Sequence, residues 1–430
     1  MKVLMFGWEF PPHITGGLGT ACFGLCKGLG AQGVDVIFTA PKLYGDEDQR
    51  VARMVNATDI EIDLRHKIYM DHWKHLTYIE IGARLIPYMG LDEYLDIEKY
   101  SHLDGTSIDE KYAKRKFVFS GKYQQNLLDE VYQYSLVAAT IATQHEFDVI
   151  HAHDWLTYQA GIAAKKATGK PLVIHVHATE FDRSGENINK TVFDIERAGM
   201  LAADQIICVS NLTRQIVIQR YGINPDKCFT VYNAVEPTDV PLDDSTVAKT
   251  VKEKIVTFLG RVTYQKGPEY FVEAAYRILQ KDPNVRFVMA GDGDMLPKIV
   301  QRVAQLRMGT KFHFTGFLKG LEVDKMFLLS DVYVMPSVSE PFGISPLEAM
   351  RSNVPVVISK QSGCSEILNH ALKVDFWDVD AMADAIYGLL HYDALARTFR
   401  KYGADEVNSL KWENSARKVL EVYNRAVNRN

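Results

Sequence analysis

Residues 257–267 read Thr-Phe-Leu-Gly-Arg-Val-Thr-Tyr-Gln-Lys-Gly, which predicts a buried strand that runs through a short loop into a helix. The same order recurs at residues 335–350, which read Met-Pro-Ser-Val-Ser-Glu-Pro-Phe-Gly-Ile-Ser-Pro-Leu-Glu-Ala-Met. Short apolar runs that alternate with longer helical patterns are typical of parallel βαβ units. The sequence therefore predicts an α/β fold built on parallel sheets.

Similar apolar runs predict strands along both halves of the chain. They are Val3–Phe6, Val34–Phe38, Val149–His151, Leu172–Val176 and Ile206–Val209, then Ile255–Leu259, Arg286–Ala290, Phe312–Phe314, Val332–Met335 and Val354–Ile358. A polar stretch with two prolines, residues 233–245, is typical of a linker between the two groups. We predict two Rossmann-like doubly wound domains facing a central cleft, residues 1–235 and 236–409, with a C-terminal helix at about 410–430 that packs back on the first domain.

Composition excludes several classes of protein. The chain has 430 residues, of which 47% are apolar and 24% charged, which fits a globular protein of two domains. Its net charge of −5 argues against a general nucleic-acid binder, because no broad basic surface exists. Five scattered cysteines indicate a reducing compartment. Without a signal-peptide pattern or the roughly 20 apolar residues that span a bilayer, the chain is predicted to be cytoplasmic.

Charged side chains follow two of the predicted strands. Arg261 and Lys266 lie in the first loop, and Glu340 and Glu348 lie around the start of the helix after the second. Ligands of open α/β sheets bind beyond the carboxyl ends of the strands. Cations and a helix N-terminus suit a diphosphate, and carboxylates suit sugar hydroxyls. The two loops therefore predict a nucleotide-sugar site.

The helix that carries Glu348 has two interpretations. Ser345-Pro346-Leu347-Glu348 has the pattern of a capping box, which would make Glu348 structural. In the alternative, Glu348 turns outward to a ribose, while Gly343, Ile344 and Ser345 present their N–H groups to the diphosphate. Glu340 and Gly343 precede the helix, so a cap does not explain them.

The first half carries a glycine-rich turn and two HxH pairs. Gly17 belongs to a Gly-Gly-Leu-Gly turn that either packs closely against a strand or contacts a phosphate. His151-Ala152-His153-Asp154 and His175-Val176-His177 could each present two imidazoles on one face of a strand, which raises a metal-dependent hydrolase as an alternative. Turn and cap chemistry explain the two DxD sequences, Asp292–Asp294 and Asp378–Asp380, so no metal site is predicted.

Together these residues resemble the retaining nucleotide-sugar glycosyltransferases with two Rossmann-like domains (the GT-B fold), especially the glycogen and starch synthases of family 5 and the related family 4. Residues 8–19 and 151–155 resemble the glucan synthases, and Glu340-x7-Glu348 with Leu-Glu-Ala-Met is similar to family 4. The resemblance spans nearly the whole chain and is weakest across residues 42–147.

The resemblance also implies roles for individual residues. Arg261 and Lys266 would bind the donor diphosphate, Glu340 the donor sugar and Glu348 the ribose. Asp154 and His177 would lie at the sugar and acceptor side, and Gly17 near the diphosphate.

Three positions depart from the family pattern. The glucan synthases have Lys where this chain has Thr15, and Glu-Pro-Cys-Gly where it has Glu340-Pro-Phe-Gly343. Family 4 has Gly at the position of Asn353, a residue that adopts left-handed backbone more readily than most. The missing Lys weakens the glucan-synthase assignment more than it weakens transferase activity.

The resemblance implies a hexosyltransferase that moves glucose from ADP-glucose or UDP-glucose to an α-1,4-glucan, with no metal cofactor. The alternatives are a family 4 transferase that makes a disaccharide or mannosyl product, the metal-dependent hydrolase, and an inactive sugar-binding protein. The sequence leaves open the donor base, the acceptor and whether the chain forms a homo-oligomer.

Overall fold

The computed structural model describes residues 1–13, 16–63, 114–123, 126–236 and 251–428. The chain divides into two compact units. Unit 1 comprises Met1–His175, Asp194–Ile207 and Val419–Asn430, and unit 2 comprises Val176–Phe193 and Cys208–Lys418. The predicted domain limits at residues 235, 236 and 409 stay a prediction.

Parallel sheets form the framework of both units. The strands are β1 (Lys2–Phe6), β2 (Asp35–Ala40), β3 (Arg53–Asn56), β4 (Glu61–Asp63), β5 (Lys114–Lys116), β6 (Val149–His153), β7 (Leu172–Val176), β8 (Gln205–Cys208), β9 (Cys228–Thr230), β10 (Lys254–Leu259), β11 (Val285–Ala290), β12 (Phe312–Gly316), β13 (Val332–Met335), β14 (Val356–Ser359) and β15 (Leu372–Val374). The ten predicted strands are all present, with ends shifted by no more than a few residues.

Helices connect most of these strands. They are α1 (Gly17–Ala31), α2 (Leu127–Gln144), α3 (Trp155–Thr168), α4 (Glu180–Ser184), α5 (Lys190–Ala202), α6 (Asn211–Tyr221), α7 (Pro268–Lys281), α8 (Leu296–Gln305), α9 (Leu321–Leu329), α10 (Ser345–Arg351), α11 (Val379–His391), α12 (Asp393–Ser409) and α13 (Trp412–Val427). Short 3-10 turns lie at Ala57–Asp59, Pro225–Lys227, Tyr264–Lys266 and Gly363–Glu366.

Six strands of unit 1 lie in one sheet in the order β3-β2-β1-β6-β7-β8, and the pairs from β3 to β7 are parallel. The strand order reverses between β1 and β6, so the sheet has its topological switch point there. Residues Val3–Phe6 of β1 are fully buried, as expected of a central parallel strand covered on both faces.

The sheet of unit 2 has the order β12-β11-β10-β13-β14-β15, and every pair in it is parallel. Its switch point lies between β10 and β13. Alternate residues of one strand enter different cores: Val332 and Val334 pack in one, and Tyr333 and Met335 in the other. Buried helix residues complete both cores, which gives the three-layer α/β arrangement that the alternating sequence predicts.

The stretch 42–147 is only partly described. The predicted helix near Gln124–Ala142 is present as α2, and β4 pairs with β5 in antiparallel fashion. The predicted C-terminal helix is α13, and its residues Val419, Val422, Tyr423 and Ala426 are at most 3% exposed within unit 1.

All five cysteines are buried and unbridged. Among the helices of the described residues, none has the length and apolar character that crossing a membrane requires.

Candidate active site

Two loops of unit 2 meet at the switch point of its sheet. β10 and β13 are parallel neighbours, with Val256 opposite Val332, so the loops that follow them leave the same edge of the sheet. The first loop, residues 260–267, carries Arg261 and Lys266, and the second, residues 336–344, carries Glu340. This edge is where open α/β sheets bind ligands.

A glycine allows the two loops to touch. Gly267 has φ of +64°, and a Cβ added there would overlap the carbonyl oxygen of Pro336. The Val338 N–H donates to the carbonyl oxygen of Gln265 at 2.9 Å, which joins the loops a second time. Only glycine satisfies both the backbone conformation and the close approach.

Lys266 and Glu340 form an ion pair between the two loops. Their side chains are 21% and 8% exposed, and the Ser337 hydroxyl donates to the same Glu340 oxygen at 3.2 Å. The Glu340 backbone is fixed as well, because its N–H donates to Gln361 O at 2.9 Å and its carbonyl oxygen accepts from Gly363 N at 2.9 Å. Two residues 74 positions apart, both predicted from the sequence, are therefore brought together.

Arg261 is exposed at the end of β10. The turn after β11 supports its loop: the Val262 N–H donates to Asp292 O at 2.9 Å, and Met295 N–H donates to Val262 O at 3.0 Å. Asp292 Oδ1 accepts from Gly293 N at 2.8 Å, which agrees with the interpretation of this DxD sequence as a turn. In the second DxD sequence, Asp378 caps α11 through Ala381 N, also as predicted.

Gly343 is a second required glycine. Its φ is +94°, and an added Cβ would lie 3.1 Å from Met335 Sδ and 3.2 Å from Cys364 Sγ. The chain therefore passes closely over the end of β13 before α10 begins. Ile344 precedes the helix and Ser345 is its first residue.

Of the two interpretations of residues 345–348, the capping box is wrong. The N-cap of α10 is Ile344, whose side chain makes no capping hydrogen bond. The Ser345 hydroxyl lies 2.7 Å from the Tyr333 hydroxyl on β13 instead. Glu348 is half-buried in the first turn, and burial raises the pKa of its carboxyl, with Arg351 opposing and Asp324 adding to the shift. Its predicted contact with a ribose stays a prediction.

His177 belongs to the segment Val176–Phe193, which is part of unit 2. Burial lowers the pKa of the half-buried His177 imidazole to about 3, so the ring is neutral near pH 7. The helix that follows, α4, packs on the turn Tyr264–Lys266. His177 therefore precedes a helix that contacts the Lys266 loop.

Sequence reasoning missed two residues in this region. Asp182 is 1% exposed, and its Oδ1 accepts a 2.6 Å hydrogen bond from the Ser339 hydroxyl. Its Oδ2 accepts from the Thr179 N–H and hydroxyl, both at 2.7 Å, in a capping box of α4. Burial raises the Asp182 pKa, and these hydrogen bonds and Arg183 oppose that shift. The pattern Thr179-x-x-Asp182 in the sequence could have predicted the cap of α4. No neighbouring residue in the sequence indicates the hydrogen bond to Ser339.

Asp154 follows β6 at the switch point of unit 1. Its backbone has φ 61° and ψ 168°, a region that residues other than glycine rarely adopt. Its Oδ1 accepts from Trp155 N at 2.9 Å, which caps α3, and its own N–H donates to His175 O at 2.9 Å. The side chain is thus held at the carboxyl edge of the sheet.

Gly17 is the first residue of α1, also at that edge. The buried Glu9 carboxylate accepts from Gly19 N at 3.3 Å in the first turn of this helix. A carboxylate at a helix N-terminus competes with a phosphate for the same N–H groups. The predicted diphosphate contact of Gly17 stays a prediction, and Glu9 is a residue that sequence reasoning missed.

The imidazoles of His151, His153 and His175 cluster in unit 1, with ligand nitrogens within 4.8 Å of one another. His151 Nδ1 lies 2.5 Å from the Tyr423 hydroxyl of α13. The three side chains are at most 3% exposed, whereas a hydrolytic metal needs an open position for water and substrate. Their burial therefore argues against the hydrolase alternative.

Two family models match consecutive parts of the chain. Glycosyltransferase Family 4 matches residues 106–239, and Glycosyl transferases group 1 matches residues 241–406. The second match contains Arg261, Lys266, Glu340 and Glu348.

The chain is similar to glycosyltransferases and to synthases of sugars. An uncharacterised glycosyltransferase of Methanocaldococcus jannaschii is 28% identical, with 98% of both chains covered. The α-maltose-1-phosphate synthase of Mycolicibacterium smegmatis is 30% identical over 64% of this chain and 78% of its own. A glycogen synthase of Mycobacterium tuberculosis is 24% identical over 98% of this chain and 94% of its own.

Solved structures share the fold. Sucrose-phosphate synthase from Thermosynechococcus elongatus superposes with a TM-score of 0.71 over the whole of both chains, at 18% identity. The predicted architecture of two Rossmann-like domains is thereby confirmed.

Proposed function

Because this chain belongs to the GT-B glycosyltransferases, we propose that it transfers a glucosyl group from a nucleoside diphosphate glucose to a hydroxyl of an α-1,4-glucan. The observation that carries this proposal is the Lys266–Glu340 ion pair at the switch point of the unit 2 sheet. A cation and a carboxylate held side by side suit a ligand that has a diphosphate next to a sugar.

In the proposed step, the bond between the anomeric carbon and the diphosphate oxygen breaks, and a bond to the acceptor oxygen forms. The acceptor proton passes to the departing diphosphate on the same face of the sugar, so the configuration is retained. The leaving group gains negative charge as its bond breaks. Groups that bind this charge more strongly in the transition state than in the ground state accelerate the step.

Arg261, Lys266 and the N–H groups of Gly343, Ile344 and Ser345 take that role in the proposal. At an effective dielectric constant near 20, one cation about 4 Å from the charge contributes roughly 4 kcal/mol before desolvation. Glu340 orients the sugar hydroxyls, and Glu348 holds the ribose. Asp154 and neutral His177 contact the sugar and acceptor side as hydrogen-bonding groups. No metal is needed, since the cations and amides supply the positive charge.

A phosphorylated acceptor is the second candidate. The relative named α-maltose-1-phosphate synthase is 30% identical, compared with 24% for the glycogen synthase, which supports testing glucose 1-phosphate as an acceptor. Transfer to its free hydroxyl would give a phosphorylated disaccharide, in line with the family 4 alternative.

A panel of donors and acceptors tests the proposal. The chain is incubated with ADP-, UDP- or GDP-glucose, each with a malto-oligosaccharide, with glucose 1-phosphate or without acceptor, and both nucleotide release and product are measured. We expect release that depends on the malto-oligosaccharide and continues in EDTA. If a product forms only with glucose 1-phosphate, the acceptor is the second candidate and not a glucan. If no nucleotide is released from any donor, the proposal is contradicted.

Variants of the ion pair test the site itself. Lys266→Ala and Glu340→Gln are each expected to lower kcat by about 10²–10³. Lys281→Ala removes an exposed lysine of the same unit and should leave kcat unchanged. Because Lys266→Ala leaves the Glu340 carboxylate buried without its cation, the rates are compared per folded protein, measured by circular dichroism. Near-normal turnover of Lys266→Ala would contradict its role.

A further inference from the structure

One buried carboxylate near the site has no part in the proposed step. Asp182 is 1% exposed and accepts hydrogen bonds from Thr179 through one oxygen and from Ser339 through the other. Burying a carboxylate is costly unless hydrogen bonds or cations compensate for it. The arrangement of these bonds therefore indicates what the side chain does.

The capping box of α4 accounts for only one of the two Asp182 oxygens. In such a box the side chain of the third helical residue accepts from the N-cap backbone, which Oδ2 does with Thr179. Oδ1 instead accepts from Ser339, a residue 157 positions along the chain. The bond to Ser339 is not needed for α4 and ties that helix to another part of unit 2.

Ser339 lies directly before Glu340 in the second loop. On its other side, Val338 N donates to Gln265 O at 2.9 Å, next to Lys266. Glu340 in turn pairs with Lys266 and accepts from the Ser337 hydroxyl. Because Ser339 is held in place, the backbone of the next residue, Glu340, is restricted in position, and so is the side chain that extends from it.

Helix α4 also contacts the first loop, residues 260–267. α4 packs on the turn Tyr264–Lys266, and a Cβ added to Gly185 would lie 3.7 Å from the Tyr264 ring. Of the charged residues beside Asp182 on α4, Arg183 pairs with Glu180 at 3.2 Å. The helix thus reaches both loops of the candidate site, one through Asp182 and one through this packing.

We infer that Asp182 is a positioning residue, which acts through Ser339 to hold the Glu340 loop in the geometry that glycosyl transfer requires. This inference rests on the proposed function. Asp182 does not touch the reacting groups in this role. Its carboxylate selects one arrangement of the loop, so its loss is expected to reduce kcat more than donor affinity.

Ser339→Ala is the sharpest test, because it removes the bond to Asp182 and leaves the α4 capping box intact. We expect kcat per folded protein to fall about tenfold, with a change in donor KM below about threefold. The thermal midpoint should fall as well, because the buried Asp182 Oδ1 loses its hydrogen-bond donor. Ser339→Thr keeps the hydroxyl and should restore most of the rate. Ser330→Ala, which removes a hydroxyl bonded to Met326 O elsewhere in unit 2, should keep full activity.

A double-mutant cycle tests whether Ser339 acts through Asp182. Asp182→Ala removes both oxygens and should lower kcat at least as much as Ser339→Ala, and adding Ser339→Ala to it should change kcat less than twofold. The inference would be overturned if the double variant lost a further tenfold in kcat, or if Ser339→Ala alone kept a kcat within twofold of wild type. Should Asp182→Ala fail to fold, Ser339→Ala and Ser339→Thr still decide the question.

The outcomes separate this inference from the proposed function. If Lys266→Ala and Glu340→Gln lose activity while Ser339→Ala keeps it, only the role of Asp182 is wrong. If Lys266→Ala and Glu340→Gln also keep it, the proposed site itself is wrong.

Discussion

At the scale of single residues, Asp154 shows the clearest conflict between local preference and the fold. Its φ of 61° and ψ of 168° lie in a region that is essentially restricted to glycine. Such a conformation costs on the order of 1–3 kcal/mol and persists only where the surroundings hold it. The N–H bond to His175 O and the cap on Trp155 N provide that support. Strain of this kind is concentrated at functional sites.

Replacing Asp154 by glycine and by alanine separates strain from chemistry. Both variants lose the carboxylate and the cap, but only alanine keeps the unfavourable backbone. We expect Asp154→Gly to be more stable than Asp154→Ala by about 1–3 kcal/mol in denaturant unfolding, with both impaired in turnover. Equal stability of the two variants would show that the backbone conformation carries no cost.

His177 should make stability depend on pH. Its pKa is lowered to about 3 by burial, from an ordinary value of 6.5, so between these values the unfolded chain binds a proton that the folded chain does not. The free energy of unfolding therefore falls as pH is lowered from about 6.5 towards 3, by at most about 1.4 kcal/mol per unit. Denaturant unfolding of His177→Gln should show a flatter dependence on pH than that of wild type. Parallel curves for wild type and His177→Gln would contradict this.

Some residues of the candidate site could be predicted and others could not. Lys266 and Glu340 were recognisable because each follows a predicted strand, and because a cation and a carboxylate together suit a nucleotide sugar. Glu9, Asp182 and Ser339 were missed because their roles depend on partners that the chain brings together only when folded. Asn353 was an intermediate case: the expectation that it tolerates left-handed backbone is confirmed by its φ of 58°.

At the scale of elements, the contact between the two loops depends on Gly267. An alanine there would need a positive φ and would also overlap Pro336 O. Gly222 is a matched control, because its φ is +69° and an added Cβ meets nothing within 4 Å.

We expect Gly222→Ala to cost only the backbone penalty of about 1–2 kcal/mol in denaturant unfolding and to keep turnover. Gly267→Ala should cost more and should also lower kcat, because the loop that carries Lys266 is displaced from the Glu340 loop. Equal losses in the two variants would show that the close approach to Pro336 is unimportant.

The elements themselves were largely readable from the sequence. Buried parallel strands are continuous apolar runs, so their positions depend on local composition. One of the two interpretations of the start of α10, the capping box, fails for a tertiary reason. Ser345 has the sequence context of a cap, but its hydroxyl lies beside the Tyr333 hydroxyl on β13. The local sequence pattern does not indicate that these two residues come together.

At the scale of the whole molecule, α13 contributes buried side chains to unit 1 from residues far along the chain. Tyr423 is fully buried, and its hydroxyl lies 2.5 Å from His151 Nδ1. We expect Tyr423→Phe to lower the free energy of unfolding by about 1–3 kcal/mol and to weaken hydrogen-exchange protection in unit 1 more than in unit 2. Tyr392→Phe, at a 64% exposed position, should change stability by less than about 0.5 kcal/mol. Uniform loss of protection would contradict a local role.

The return of residues 419–427 to unit 1 has a consequence during translation. The ribosome makes β1 and β6 long before it makes Tyr423, so the nascent first unit lacks part of its interior while all of Cys208–Lys418 is being synthesised. Unit 2 has all of its residues once Lys418 is made, whereas unit 1 still lacks Val419–Asn430. A premature stop just beyond residue 418 would therefore release a chain with a complete unit 2 and an incomplete unit 1, which is the form that chaperones and proteases would meet.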